Sequence, residues 1–318
     1  MTNVTTMGGF LLMGFSDDHE LQIFYALLFL GIYLLALMGN FTIIIITILD
    51  QSLQSPMYYF LRQLSLLDLS LISVTVPQSI DNSLTHNGYI SYGQCMFQIF
   101  FFTSFAWIEM AILTLMSYDR YAAICLPLRY ELIMCPANCK WIVIAAWLSG
   151  GISGILYTAA TFSIKFCRAK IIHQFFCDVP QLAKLSCSHD YFGVIGVSAF
   201  MAVMAFVCFI FIIFSYIHIF STVLRIRSAE GQSKVFSTCL PHLFVVCFYI
   251  STGTFAYLKP TSDSPTASDL VTSVFYTAIP PVLNPIIYSL RNEALKGALR
   301  KSLLQGVFTR RKVFFSCC

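Results

Sequence analysis

The stretch MSYDRYAAIC, Met116 to Cys125, sets an acid and an arginine side by side where an apolar run meets a basic segment. Charge at such an edge is costly to keep, so the Asp119-Arg120 pair calls for a function. An arginine there can be held by its neighbouring acid in one state and released to a partner in another, the two-state element that a signalling switch requires. Two further acids, Asp68 and Glu109, lie deep inside apolar runs, and Asn40 and Asn284 lie at comparable depth in two others. With a helical rise of about 1.5 Å per residue, both acids sit about 16 Å in from the same side and Asn284 about 10 Å in. Four polar groups from four helices thus share one layer. Each acid would cost about 2.5–3.5 kcal/mol if left charged and facing lipid, so the layer faces inward and shares a proton, water or a cation such as sodium. Two carboxylates this close also favour a shared proton, and a hydrogen-bonded packing network without an ion is the plain alternative. The six histidines are scattered, with no zinc-spaced cluster and no nucleophile–base arrangement, which argues against an enzyme and against a metal site.

These residues must be positioned by membrane helices. The 318-residue chain is 58% hydrophobic and 11% charged, the balance of a polytopic membrane protein. Uncharged gaps of 29 residues (Glu20 to Asp50), 24 (Lys140 to Lys165), 34 (Asp190 to Arg225), 24 (Lys234 to Lys259) and 21 (Asp269 to Arg291) each reach spanning length. Met57 to Ile80 and Cys95 to Tyr118 are apolar runs with internal charges, which makes seven. The first 61 residues hold no Lys or Arg, whereas 14 of the 19 fall on the side of 120–140, 225–236 and the tail. The positive-inside rule then places the N-terminus outside and the tail in the cytoplasm. The expected fold is an all-α membrane protein, a seven-transmembrane helix bundle followed by a short cytoplasmic amphipathic helix. Its parts are an extracellular tail (1–23), a seven-transmembrane domain (24–290) and a cytoplasmic tail (291–318). No signal peptide is apparent, so the first helix serves as the insertion signal. Asn3-Val4-Thr5 is a glycosylation sequon on the outer tail.

Four of the twelve cysteines, Cys95, Cys167, Cys177 and Cys187, fall in outer segments where disulfides form, and four cysteines allow three pairings. Three of the four lie in one outer segment of roughly 27 residues, Ile164 to Asp190, which suggests a tied-down lid over an outward-facing cavity. Cys317 and Cys318 are candidates for palmitoylation. A transporter using Asp68 and Glu109 as an ion path is the rival reading, but no paired, Gly/Pro-broken helices recur in two halves.

The motifs resemble the rhodopsin-like (class A) G-protein-coupled receptors and, within them, the olfactory (odorant) receptors. Gly39-Asn40 is similar to the first-helix signature, and SPMYYFLRQLSLLD (Ser55 to Asp68) to PMYFFLxxLSxxD. MSYDRYAAICLPLRY (Met116 to Tyr130) resembles MAYDRYVAICxPLxY. Ser215-Tyr216 with KVFSTCLPHLFVV (Lys234 to Val246) resembles the KAxSTCxxHLxVV run, and PPVLNPIIYSLRN (Pro280 to Asn292) the seventh-helix ending. The resemblance implies a Cys95–Cys177 bridge fixing the lid to the third helix and a Cys167–Cys187 pair. It implies that Asp119, Arg120 and Tyr121 form the G-protein switch, with Tyr216 and Tyr288 rearranging around Arg120. The implied partners are a small-molecule odorant and a heterotrimeric G protein of the stimulatory, olfactory type that raises cyclic AMP. No cofactor is implied beyond a possible sodium ion at the Asp68/Glu109 layer. The alternative is a related receptor for a non-volatile metabolite outside the nose. Two departures stand out: Gln54 replaces a usual His, and Ile250 occupies a place where a tyrosine is common.

Counting outward from the motifs, the inward candidates for a ligand cavity are Phe102, Thr103, Ala106, Trp107, Phe200, Met201, Met204, Ile250, Gly253, Thr254, Tyr257 and Thr277. The set is apolar with a few hydroxyls, which fits small organic molecules. Phe102 stands where amine receptors carry an aspartate, so a cationic amine is a poor ligand candidate.

Overall fold

In a computed structural model the described residues are 8–13, 18–85, 87–166, 170–186, 192–225, 228–258 and 267–301. The chain runs through β1 (Gly9–Leu12), α1 (His19–Leu49), α2 (Pro56–Thr85), β2 (Tyr89–Ser91), α3 (Tyr92–Cys125) and a short α4 (Tyr130–Ile133). It continues through α5 (Pro136–Phe162), β3 (Ile171–Ile172), α6 (Val179–Lys184), α7 (Phe192–Val223), α8 (Ala229–Leu258), α9 (Ala267–Thr277) and α10 (Pro280–Arg291). Among the described residues six helices, α1, α2, α3, α5, α7 and α8, are long and apolar enough to cross a membrane. The seventh span is α9 and α10 in series. It breaks there because Pro280 and Pro281 have no amide hydrogen to continue the ladder, and a residue before proline is driven out of the helical region. The Val274 carbonyl accepts from both Ala278 and Ile279, which carries the chain across the break.

The ends of the helices are set locally. Asp18 caps α1 by accepting from the Glu20 amide, and Ser91 with Gln94 forms a reciprocal capping box at the start of α3. After the seventh span, residues 293–301 are helical, with Leu295 and Ala298 buried while Lys296 pairs with Glu293 at 2.7 Å on the open side. This is the amphipathic tail helix that the sequence led us to expect.

Helix α3 is central, packing against α2, α5, α7 and α8, and α1 packs against α2 and α10. Glycines permit the closest approaches. At Gly39 an added Cβ would lie 2.9 Å from Pro285, so glycine there lets α1 meet α10. At Gly154 it would overlap Ser104 Oγ and lie 2.8 Å from the Phe100 carbonyl oxygen, and at Gly150 it would overlap Ile108. These two are four residues apart on the face of α5 that meets α3, the small-xxx-small arrangement by which membrane helices associate without a hydrophobic driving force. Gly154→Leu is therefore expected to force α5 off α3 and to destabilise the receptor by about 1–3 kcal/mol, read as a lower melting temperature in detergent.

The outer end is closed by a feature the sequence did not announce. A three-stranded sheet in the order β2-β1-β3 joins the N-terminal segment to the segment before α3 and to the long outer loop. Phe10 pairs with Ile90, and Leu12 with Ile172. Phe10, Leu12, Ile90, Ile172 and Cys177 are buried together beneath it.

Candidate functional site

The midplane layer forms around Asp68. Asn284 Nδ2 donates to both carboxylate oxygens of Asp68, at 3.0 and 3.1 Å, which ties α2 to α10. Glu109 lies within electrostatic reach of Asp68, and both of its oxygens are buried without a hydrogen-bond partner. Asn40 is fully buried but turned elsewhere: its Nδ2 donates to the Ala36 carbonyl at 3.0 Å and to the Pro281 carbonyl at 2.8 Å. It thus pins α1 to the start of α10.

At the inner end, Arg120 points away from its neighbour. Its Nη1 donates to the Tyr216 hydroxyl at 3.3 Å, and Tyr216 lies 2.8 Å from His242 Nδ1. His242 Nε2 lies 3.0 Å from the Leu113 carbonyl. A carbonyl can only accept, so Nε2 carries the hydrogen, and in the neutral ring Nδ1 accepts from Tyr216. The Tyr216 oxygen is thereby left to accept from Arg120. This relay runs from α3 to α7 to α8 and back to α3. Asp119 instead accepts from the Tyr130 hydroxyl on α4 at 2.9 Å. Among the described residues no ion pair joins Asp119 to Arg120, which corrects the expectation of an arginine parked on its neighbour. The reason is geometric, since consecutive residues on a helix do not face each other. Tyr288 lines the same cleft as Arg120, together with Met57, Leu61 and Pro241, and its hydroxyl is buried without a partner. The cleft is nearly filled, at about 20 Å³. Tyr121 stacks on Tyr118 and meets His218 edge-on, on the side of α7.

At the outer end the lid is fastened at several points. Cys95 and Cys177 form a disulfide. One turn along α3, Gln98 accepts from the Cys177 amide at 2.7 Å and donates to the Val74 carbonyl at 2.9 Å. The Asp178 carboxylate accepts from the Tyr276 hydroxyl at 3.1 Å, and Ser273 bonds Gln174. The rings of Phe102, Phe176 and Tyr276 form a mutual cluster with centroids 5.4–6.3 Å apart, and Phe175 bridges from Phe176 to Phe29 on α1. Lid, third helix and seventh helix therefore meet at Phe102.

A family-wide sequence profile described as olfactory receptor matches residues 29–306. The chain belongs to the olfactory receptor family. Human olfactory receptor 14J1 is 60% identical over 313 residues, covering 98% of each chain. Human olfactory receptor 14A16 is 52% identical over 311 residues, covering 98% of this chain and all of the relative. A crystal structure of squid rhodopsin superposes with a TM-score of 0.72 at 16% identity, covering 92% of this chain and 88% of that one. It supports the seven-helix fold. The olfactory receptor is thus a multi-pass plasma-membrane protein and a receptor rather than an enzyme, of a family that takes a small-molecule ligand and a G protein.

The candidate pocket residues of this olfactory receptor are placed as follows. Phe102, Thr103 and Ala106 are half-buried on α3, and the Ala106 carbonyl accepts from the Tyr249 hydroxyl at 2.8 Å. Trp107 donates Nε1 to Ser149 at 3.2 Å, so it faces α5 rather than the other candidates. Met201 and Met204 are half-buried, whereas Phe200 is 56% exposed and does not join them. Ile250 packs with Tyr249 against the core, Gly253 borders open space and Thr254 is exposed. Thr277 is buried, with its hydroxyl on the Ser273 carbonyl at 2.6 Å. The side chain of Tyr257, and Asn3, Cys167, Cys187, Cys317 and Cys318, lie outside the described residues. Phe166 and Ser186, the neighbours of Cys167 and Cys187, form an antiparallel bridge.

Sequence reasoning missed Phe176, Asp178 and Tyr276. Their only signal was adjacency to Cys177 and Thr277. Burial pushes the Asp178 carboxyl up to about 6, against the pull of the Tyr276 hydroxyl and the Val179 amide. The folded state then holds this proton more tightly than the unfolded chain does, so stability falls as pH rises from about 4 to 6 and stays lower above. Asp178→Asn keeps an acceptor for Tyr276 and removes the buried charge. It is expected to raise the melting temperature at pH 7, by up to about 3 kcal/mol of stability, and to flatten the slope between pH 4 and 6. A lower melting temperature at pH 7 would show that the ionised carboxylate is required.

Proposed function

We propose that this receptor takes small, largely apolar odorants in the outer half of the bundle and activates a stimulatory, olfactory-type G protein, raising cyclic AMP. The observation that carries the reading is the Arg120–Tyr216–His242 relay over a nearly filled inner cleft. A helix is about 10 Å across, so a G-protein helix can enter only if α8 swings outward, and that motion breaks the bond between Tyr216 and His242. Pro241, inside α8 next to His242, is the point at which the helix can bend. We assign ligand contact to Phe102, whose ring packs against Phe176 of the lid, and propose Thr103, Met201, Met204, Ile250 and Gly253 as further contacts. Apolar burial at about 25 cal/mol per Å² supports modest affinity for such molecules. The test is cyclic AMP in cells expressing the receptor with an olfactory-type G protein, screened against alcohols, aldehydes, ketones, esters and acids. A dose-dependent rise in receptor-expressing cells alone is the expected result. Silence across the panel from surface-expressed receptor would remove the volatile-ligand reading.

The Glu109 carboxylate, with Asp68 and Asn284, is proposed as the seat of a sodium ion. Two buried carboxylate oxygens with no donor need a cation or a proton. The wild-type melting temperature is expected to be higher in sodium chloride than in an N-methylglucamine salt of equal strength, and Glu109→Gln to abolish the difference. Equal melting of the wild type in both salts would leave a shared proton instead.

A further inference from the structure

A cavity of about 420 Å³ opens at the cytoplasmic rim of the bundle, between the turn before α2, the start of α5 and α4. It shares no lining residue with the cleft at Arg120, although Tyr130 on its wall donates to Asp119, and its volume falls within the roughly 300–1,000 Å³ range of small-molecule sites. Its apolar wall includes Leu53 and Met134, and two cations, Arg62 and Lys140, border it. The Arg62 guanidinium is half-buried and oriented: Nε donates to Thr47 Oγ1 at 3.3 Å, and one Nη donates to the Thr47 carbonyl at 2.7 Å. Its second Nη makes no hydrogen bond among the described residues. Among the described residues that line the cavity Glu131 is the one acid, and it is exposed. Neither Arg62 nor Lys140 is paired with a carboxylate among the described residues. The N-terminus of the 27-residue α5 also borders the cavity, with Cys135 supplying no side-chain cap and no acid in the first turn. Of the first-turn residues that line the cavity, Pro136 has no amide hydrogen and the Cys139 amide donates to the Cys135 carbonyl at 3.1 Å, so this end adds the positive pole of the helix dipole where the two cations already stand.

We infer that this cavity is a binding site for the phosphorylated headgroup of an anionic lipid of the cytoplasmic leaflet. An oriented guanidinium and a lysine beside the positive pole of α5 match phosphate oxygens, while the apolar wall that Leu53 and Met134 supply suits the glycerol end of a lipid rather than a free anion. Basic pockets between helices on the cytoplasmic face take such headgroups.

The experiment titrates fluorescent phosphatidylinositol bisphosphate into full-length receptor held in phosphatidylcholine nanodiscs. Lys140→Gln is expected to weaken binding at least threefold, Arg62→Gln with Lys140→Gln about tenfold, and Glu131→Gln to tighten it twofold or more. Arg300→Gln with Lys301→Gln, which removes as much charge from the tail helix, should change it less than twofold. Arg62 also holds Thr47, so its variant can lose folding. Lys140 and Glu131 are exposed, and their single variants decide the matter alone. Unchanged affinity in both, or an equal loss in the tail variant, overturns the site. Soluble inositol trisphosphate or inorganic phosphate competing as strongly as the lipid overturns the lipid assignment.

Discussion

Replacing Arg120 with alanine is expected to bring the ligand-evoked cyclic AMP response down to background, at least tenfold below wild type, in receptor that still reaches the cell surface. Arg120 is only 7% exposed, its Nε is buried without a partner, and it donates to a neutral hydroxyl rather than to a carboxylate. A buried cation so poorly compensated is a burden on the fold. Its removal is therefore expected to leave the melting temperature unchanged or to raise it, while signalling is lost. That opposition separates a switch residue from a packing residue, for which both quantities would fall together. Tyr216→Phe keeps the ring and removes the hydroxyl that Arg120 and His242 share, so the bond that holds α8 closed is lost and ligand-independent cyclic AMP should rise. A surface-expressed Arg120→Ala receptor with full response would end the relay as an account of activation.

The spans were legible because hydropathy and charge gaps report lipid exposure directly, and five gaps needed no structure to interpret. Depth was legible too, since helical rise is fixed, and it placed Asp68 and Asn284 in one layer where they hydrogen-bond. Rotation about the helix axis was not. Depth alone put Asn40 beside the acids, but its amide turns to Pro281. The same ignorance of rotation put Trp107 and Phe200 among the inward candidates, although one bonds Ser149 and the other is largely exposed. Adjacency misled at Asp119 and Arg120, where chain neighbours diverge to Tyr130 and Tyr216. The outer sheet was illegible for another reason. GFLL is four apolar residues whose strand exists only because YIS and II, from about 80 and 160 residues further on, supply its partners. Irregular segments have no periodicity to read, so Phe175 and Phe176 carried no sequence sign of their inward packing.

Cys177→Ser is expected to destabilise the receptor by about 4.5 kcal/mol, on the chain-entropy account of a crosslink closing 82 residues, and to prevent surface expression. The disulfide alone does not explain why the lid lies where it does. Gln98 fixes the Cys177 amide, Tyr276 holds Asp178 and Phe176 packs on Phe102, so three separate contacts meet within a few residues of one bridge. Gln98→Ala leaves the bridge intact and a buried amide unsatisfied, which should cost about 1–3 kcal/mol. In the Cys177→Ser background the same change is expected to cost much less, because a lid released from α3 can hydrate that amide. The coupling is measurable as non-additivity in a double-mutant cycle of melting free energies. Full additivity would mean that Gln98 and the disulfide hold the lid independently, and that the loop keeps its position over Phe102 even when the bridge is gone.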